Sequence, residues 1–276
     1  MFSYRNTSAM GSGGATVVVV GLLGVLLLAV AIWVAYSFMV TSLVTKVVLS
    51  GTYHARNSPR TVGVEKMPKA NGREMTLSFW CYLEDSDSTD FFKRVLMIGD
   101  SLDSAKLLVV LHKSSNTMYI ATRSSLATNA KPLDELERYI NVPKKGDASP
   151  TYCFSVVNYV PLLRWVQIGI VIDHDVLSVY VDGDLYGVTS LDRQVSSVSG
   201  GNAVFAELSG PLTVGSTATG FKGYVSKVVV STYAQSVWQV KALYEKGPVA
   251  NSWLTSAVGL NGYRLQWPIE KVAAEE

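Results

Sequence analysis

The sequence predicts an all-β sandwich standing behind one apolar helix, and three observations carry that prediction. Residues 16–44 read TVVVVGLLGVLLLAVAIWVAYSFMVTSLV, inside a stretch with no charge between Arg5 and Lys46. Beyond Lys46, short runs rich in Val, Ile, Thr and aromatics alternate with clusters of Gly, Asn, Asp and Ser, which is the signature of strands and turns. Helical periodicity is scarce there, and many short strands at this spacing fold as a β-sandwich or barrel.

Taken in chain order, residues 1–15 form a short polar N-terminus and residues 16–44 a transmembrane helix. At about 1.5 Å per residue the run is long enough to cross a hydrocarbon core of roughly 30 Å. A signal peptide has an apolar core of only about 7 to 15 residues and a basic start. Here the run is longer, only Arg5 precedes it, and it continues past the weak Ala29-Val30-Ala31 site through Trp33, Tyr36 and Phe38. Those three aromatics suit an interfacial belt. After the run come Lys46, Arg56, Arg60, Lys66, Lys69 and Arg73, against Glu65 and Glu74. The Lys/Arg-rich side is usually cytoplasmic, so the expectation is a single-pass membrane protein whose C-terminal part faces the cytosol. The single glycosylation sequon, Asn6-Thr7-Ser8, lies before the run. With two cysteines, Cys81 and Cys153, no disulfide framework is needed, and both are expected as buried free thiols.

Residues 45–74 are read as a juxtamembrane segment with a first strand, and 75–248 as the sandwich. Strands are expected at 76–83, 94–98, 107–111, 117–122, 152–156, 165–172, 176–181, 212–214 and 223–230. Asp182-Gly183 between Tyr180 and Leu185 is a hairpin signal, because Gly takes positive φ at little cost. Two helical candidates stand out, 133–139 as a short charged helix or a loop in an insertion, and 236–245. The second has Val237, Val240, Leu243 and Tyr244 at helical spacing and stops before Gly247-Pro248. The tail, 249–276, carries Trp253, Leu254, Leu260, Tyr263, Leu265 and Trp267, so it is too apolar for a simple disordered end. It is expected to pack on the domain or to dock a partner.

Five blocks follow one another in a recognisable order: MTLSFWCYL from Met75, WVQIGIVIDHDVLSVYVDGDLYG from Trp165, LTVG from Leu212, GFKGYVSKVVV from Gly220 and LYEKGP from Leu243. This order resembles the laminin-G-like branch of the concanavalin A-like lectin/glucanase fold, over roughly residues 50–248. The fuller pattern, an apolar helix, SGTY from Ser50, this domain and a closing Lys-Gly-Pro, resembles membrane-anchored proteins of large DNA viruses of algae and protists. The motif residues need no ligand to explain them. Phe79, Trp165, Tyr180 and Phe221 are bulky strand residues suited to the space between two sheets, and Gly220 and Gly223 suit a strand start.

Function is bounded mainly by what is missing. The net charge of +2 is near balance and no basic stripe points to nucleic acid. Hydrolases of the resembled fold carry paired glutamates on one strand. The nearest run here, Glu84-Asp85-Ser86-Asp87 with Asp90, reads as a solvated loop. His54, His112 and His174 show no metal-ligand spacing, and Ser124, Ser125 and Cys153 have no motif partner for nucleophilic work. The protein is therefore expected not to be an enzyme, and no residue is assigned as catalytic, cofactor-binding or metal-binding. The resemblance allows Ca²⁺ through loop carboxylates, for which Asp173, Asp175, Asp182 and Asp184, or Asp100 and Asp103, are the acidic candidates. It implies a membrane-anchored structural module, a virion component at the inner membrane or capsid, whose partners are the bilayer and capsid proteins. The alternative is a surface lectin that binds glycans, with Tyr119, Tyr152, Tyr159 and Tyr186 available to stack on a sugar.

Overall fold

A computed structural model describes residues 21–35, 45–69, 73–125, 131–141, 152–191 and 205–248. The chain divides into two compact units, Met1–Leu43 and Val44–Glu276. In the first, residues 21–35 form helix α1, exposed along its whole length. No helix among the described residues is long and apolar enough to cross a membrane. The rest of the expected span, 16–20 and 36–44, lies outside the described residues, as do 1–15 and the 249–276 tail.

In the second unit, the described strands are β1 (Thr45–His54), β2 (Arg60–Val62), β3 (Glu74–Leu83), β4 (Lys93–Ile98), β5 (Leu107–Leu111), β6 (Met118–Arg123), β7 (Tyr152–Val157), β8 (Trp165–Asp173), β9 (Val176–Val181), β10 (Asp184–Ser190), β11 (Leu212–Val214) and β12 (Gly223–Ser231). They form two six-stranded sheets, ordered β1-β12-β3-β8-β9-β10 and β2-β11-β4-β5-β6-β7. All their pairings are antiparallel. The expected sandwich is therefore present.

Alternation along each strand sets the layers. In the first sheet, Leu77, Phe79, Cys81 and Leu83 of β3 and Val166, Ile168, Ile170 and Ile172 of β8 point inward. They meet Leu107, Val109 and Leu111 of β5 and Met118 and Ile120 of β6 in one buried cluster. Both outer faces are also partly covered. Helix α2 (Pro132–Asn141) sets Leu136 against Leu108, Val110, Tyr152 and Phe154 on the second sheet. Helix α3 (Val237–Glu245) sets Val240 against Val171 and Tyr180 on the first. Strands apolar on both faces read as near-continuous apolar runs, which is why their positions were predictable.

Two of the four bulky motif residues depart from their expected place. Phe79 and Phe221 lie in the inter-sheet core. Tyr180 is buried on the other side of its strand, under α3. Trp165 is only part-buried and stands on the outer face of the first sheet, directly across from Tyr82. A one-residue change of parity moves a side chain to the opposite face, and bulk alone does not fix parity.

Candidate functional site

The outer face of the first sheet carries a row of rings. Register places His54 opposite Tyr224, Tyr224 opposite Tyr82, and Tyr82 opposite Trp165, so four adjacent strands each contribute one ring at the same level. The centroids are 5.1 Å apart for His54–Tyr224, 6.3 Å for Tyr224–Tyr82 and 5.5 Å for Tyr82–Trp165. All four side chains are part-exposed. Each ring leans on its neighbour, so the row is held without being covered, a contact worth roughly 0.5–1.5 kcal/mol per pair beyond area burial.

Local geometry locks both ends. His54 Nδ1 accepts the backbone N–H groups of Arg56 and Asn57 at 3.2 and 3.1 Å, which puts the proton of the neutral ring on Nε2, 3.9 Å from Glu84 Oε2. At the other end Leu163 adopts φ 57° and donates its N–H to Leu83 O at 2.8 Å. Its side chain is 68% exposed beside the start of β8. Non-glycine residues rarely hold this conformation, and such strain collects at functional sites. In the middle, Gly223 at φ 144° lets β12 close on β3, since a Cβ there would sit 2.0 Å from Tyr82 O.

Polar groups border the rings. Glu84, two residues past Tyr82, is exposed, and Lys222 lies 3.6 Å from Asp85 and 3.7 Å from Asp87. Arg164 Nη2 donates to Asp182 Oδ2 at 2.5 Å, and Asp182 Oδ1 accepts the N–H of Gln167 at 2.9 Å. The surface therefore offers flat apolar faces edged by donors and acceptors of both charges.

The acidic residues singled out in the sequence do not assemble into one site. Asp173 and Asp175 lie at one end of the six-residue strand β9 and Asp182 and Asp184 at the other, which at about 3.3 Å per residue separates them by roughly 20 Å. Asp182 is engaged as a hairpin brace, and Asp182 and Gly183 both hold positive φ there, as the turn requires. Asp100 is exposed, and Asp103 pairs with Lys131 at 3.0 Å. Asp173 instead meets Glu74 and His174, their ligating atoms within 4.8 Å of one another. Within that grouping His174 Nδ1 and Asp173 Oδ1 form a 2.6 Å hydrogen bond.

Glu84, Asp85 and Asp90 are exposed, as a solvated loop requires, but Asp87 is not simply solvated. It draws Arg56 to 3.4 Å and the nearly buried Lys93 to 3.7 Å. Cys81 and Cys153 are buried free thiols, and burial pushes each up to about 12. Ser124 is buried in a bridge to Phe205. Of the tyrosines available to stack on a sugar, Tyr119 and Tyr152 are buried; the Tyr152 hydroxyl donates to Ala105 O at 2.8 Å. Tyr159 and Tyr186 are exposed, at 62% and 44%.

No known family and no curated protein matches the sequence. Alignments to solved structures are loose. The botulinum neurotoxin serotype D binding domain aligns at 8% identity and a TM-score of 0.48 over 70% of this chain and 41% of that one. The serotype D ligand binding domain in complex with N-acetylneuraminic acid aligns at 10% identity and a TM-score of 0.48, over 74% and 46%. The receptor binding domain of the C/D mosaic serotype aligns at 11% and 0.46, over 74% and 43%. The chain spans less than half the length of each of these structures. All three TM-scores lie below 0.5, so these likenesses carry no argument.

Proposed function

We propose that this protein is a non-catalytic carbohydrate-binding module held at a membrane by its apolar N-terminal run, with a sandwich of the laminin-G-like, concanavalin A-like type. The row His54–Tyr224–Tyr82–Trp165 carries this reading. A pyranose ring is flat, with weakly positive C–H groups on its face and hydroxyls around its edge. Aromatic faces are electron-rich and attract such C–H groups, while Glu84, Lys222 and Arg164 supply hydrogen-bonding partners at the border. Stacking of this kind needs no metal ion. The scaffold reading, a link between a bilayer and a virion shell, has no observation in its favour here.

The test is glycan binding by the full chain in detergent micelles, read on a panel of neutral and acidic sugars. Tyr82→Ala and Trp165→Ala are each expected to weaken the best ligand at least tenfold, with Tyr159→Ala and Tyr186→Ala unchanged. Loss in the second pair instead of the first would move the site away from the row. No binding to any sugar would end the reading. Cell-surface glycans lie on the non-cytosolic side, so this function sets the sandwich against the Lys/Arg count after the apolar run. Digestion of the sandwich from the cytosolic side of intact membranes would count against it.

A further inference from the structure

The same outer face holds a second feature, a shallow recess beside the edge strand β1. Its lining includes the apolar Val47, Trp80, Val229 and Leu243 of α3, with Thr45 and Ser78 beside them, and Val47 is 51% exposed. The chain passes the rim of this recess as it leaves α3. Ser226 Oγ donates to Pro248 O at 2.6 Å, and Lys227 Nζ donates to Lys246 O and Gly247 O at 2.9 and 3.0 Å. Lys227 sits in the irregular register between Ser226 and Val229 with φ 46°. That conformation is costly for a lysine, and here it turns the side chain outward onto the exit point. Residues 249–276 continue from that fixed point and bring Trp253 and Leu254 within six residues of Pro248. An extended segment of that length reaches roughly 16–20 Å.

We infer that this recess is the seat of the chain's own C-terminal tail, with Trp253 and Leu254 as its anchors. Tethering favours this occupant over a separate protein, because a short tether holds the tail at an effective concentration on the order of millimolar. Composition favours it too. From Asn251 to Trp267 the only charged residue is Arg264, so the segment can lie on an apolar surface without stranding charge. The seat is independent of sugar binding, which is assigned to the neighbouring row.

Arg264 provides the readout, since trypsin cuts there only when the tail lifts away. In full chain held in micelles, release of the fragment following Arg264 is timed by mass spectrometry. The expected result is slow release in the parent and about tenfold faster release in both Val47→Asp and Leu254→Asp. Near-UV circular dichroism checks that Val47→Asp remains folded; if it does not, Leu254→Asp carries the test alone. Fast release in the parent overturns the inference. So does slow release that neither change alters, or protection that rises with protein concentration, which would place a second copy in the recess.

Discussion

Gly223 sets the spacing on which the aromatic row depends. It is the first residue of β12, at φ 144°, and an added Cβ would lie 2.0 Å from Tyr82 O and 2.8 Å from Phe221 Cε2. The first of those atoms is backbone and cannot rotate away. Gly223→Ala must therefore push β12 off β3, and a loss of about 2–4 kcal/mol in chemical denaturation is expected. A loss under about 1 kcal/mol would show that the two strands have slack. His174 is a different kind of residue effect. Its hydrogen bond to Asp173 holds its pKa above the ordinary 6.5, with the charges of Asp173 and Glu74 acting in the same direction. A raised folded pKa means the contact supports the fold fully below about pH 6.5 and fades as pH rises through the folded value. In an NMR titration His174 is expected to titrate above the ordinary 6.5, and Asp173→Asn to bring it down. An unchanged midpoint in that variant would remove Asp173 as the cause.

At the scale of elements, α3 is held to the first sheet through few contacts. Val240 is its one buried residue, and Gly169 of β8 leaves the space it enters, with Val240 Cγ1 3.1 Å from where a Cβ would stand. Tyr244 stacks on Trp80 at 5.5 Å and closes the other end. Val240→Ala is expected to cost about 1–3 kcal/mol and to raise amide exchange in α3 ahead of the sheets; equal exchange throughout would mean that the helix and sandwich open together. The position of α3 was legible from its apolar spacing and its Gly-Pro stop. The inner strands were legible because both their faces are covered. β2 was not, being three residues long, and neither was β10, an edge strand whose Gly187 and exposed Leu185, Tyr186 and Val188 break the inward–outward pattern. The candidate site was least legible. Its rings come from positions 54, 82, 165 and 224, and only the register between strands far apart in the chain aligns them. Parity along β3 could have shown Tyr82 facing outward, opposite to Leu77, Phe79 and Cys81; nothing local marks its three partners.

At the scale of the whole molecule, the buried core among the described residues is drawn from the second unit. Its inter-sheet cluster runs from Ala55 to Val230, and the clusters under α2 and α3 fall within the same unit. No residue of the first unit among those described is buried, and α1 presents Leu22, Val25, Leu26 and Trp33 at 63–68% exposure. A domain whose apolar interior is complete without another segment has the means to fold without it, whereas exposed apolar helix of this kind drives association in water. Residues 44–276 expressed alone are therefore expected to be soluble and to unfold cooperatively, with a midpoint within a few degrees of the sandwich transition of the full chain in micelles. Full chain without detergent is expected to aggregate. The comparison separates two roles for the N-terminal run. If the shortened protein unfolds without cooperativity or exposes dye-binding apolar surface, the run supports the sandwich directly, and the division into independent units fails. If it melts as the full chain does, the run contributes location and the sandwich contributes recognition. The sugar-binding variants could then be measured in plain buffer.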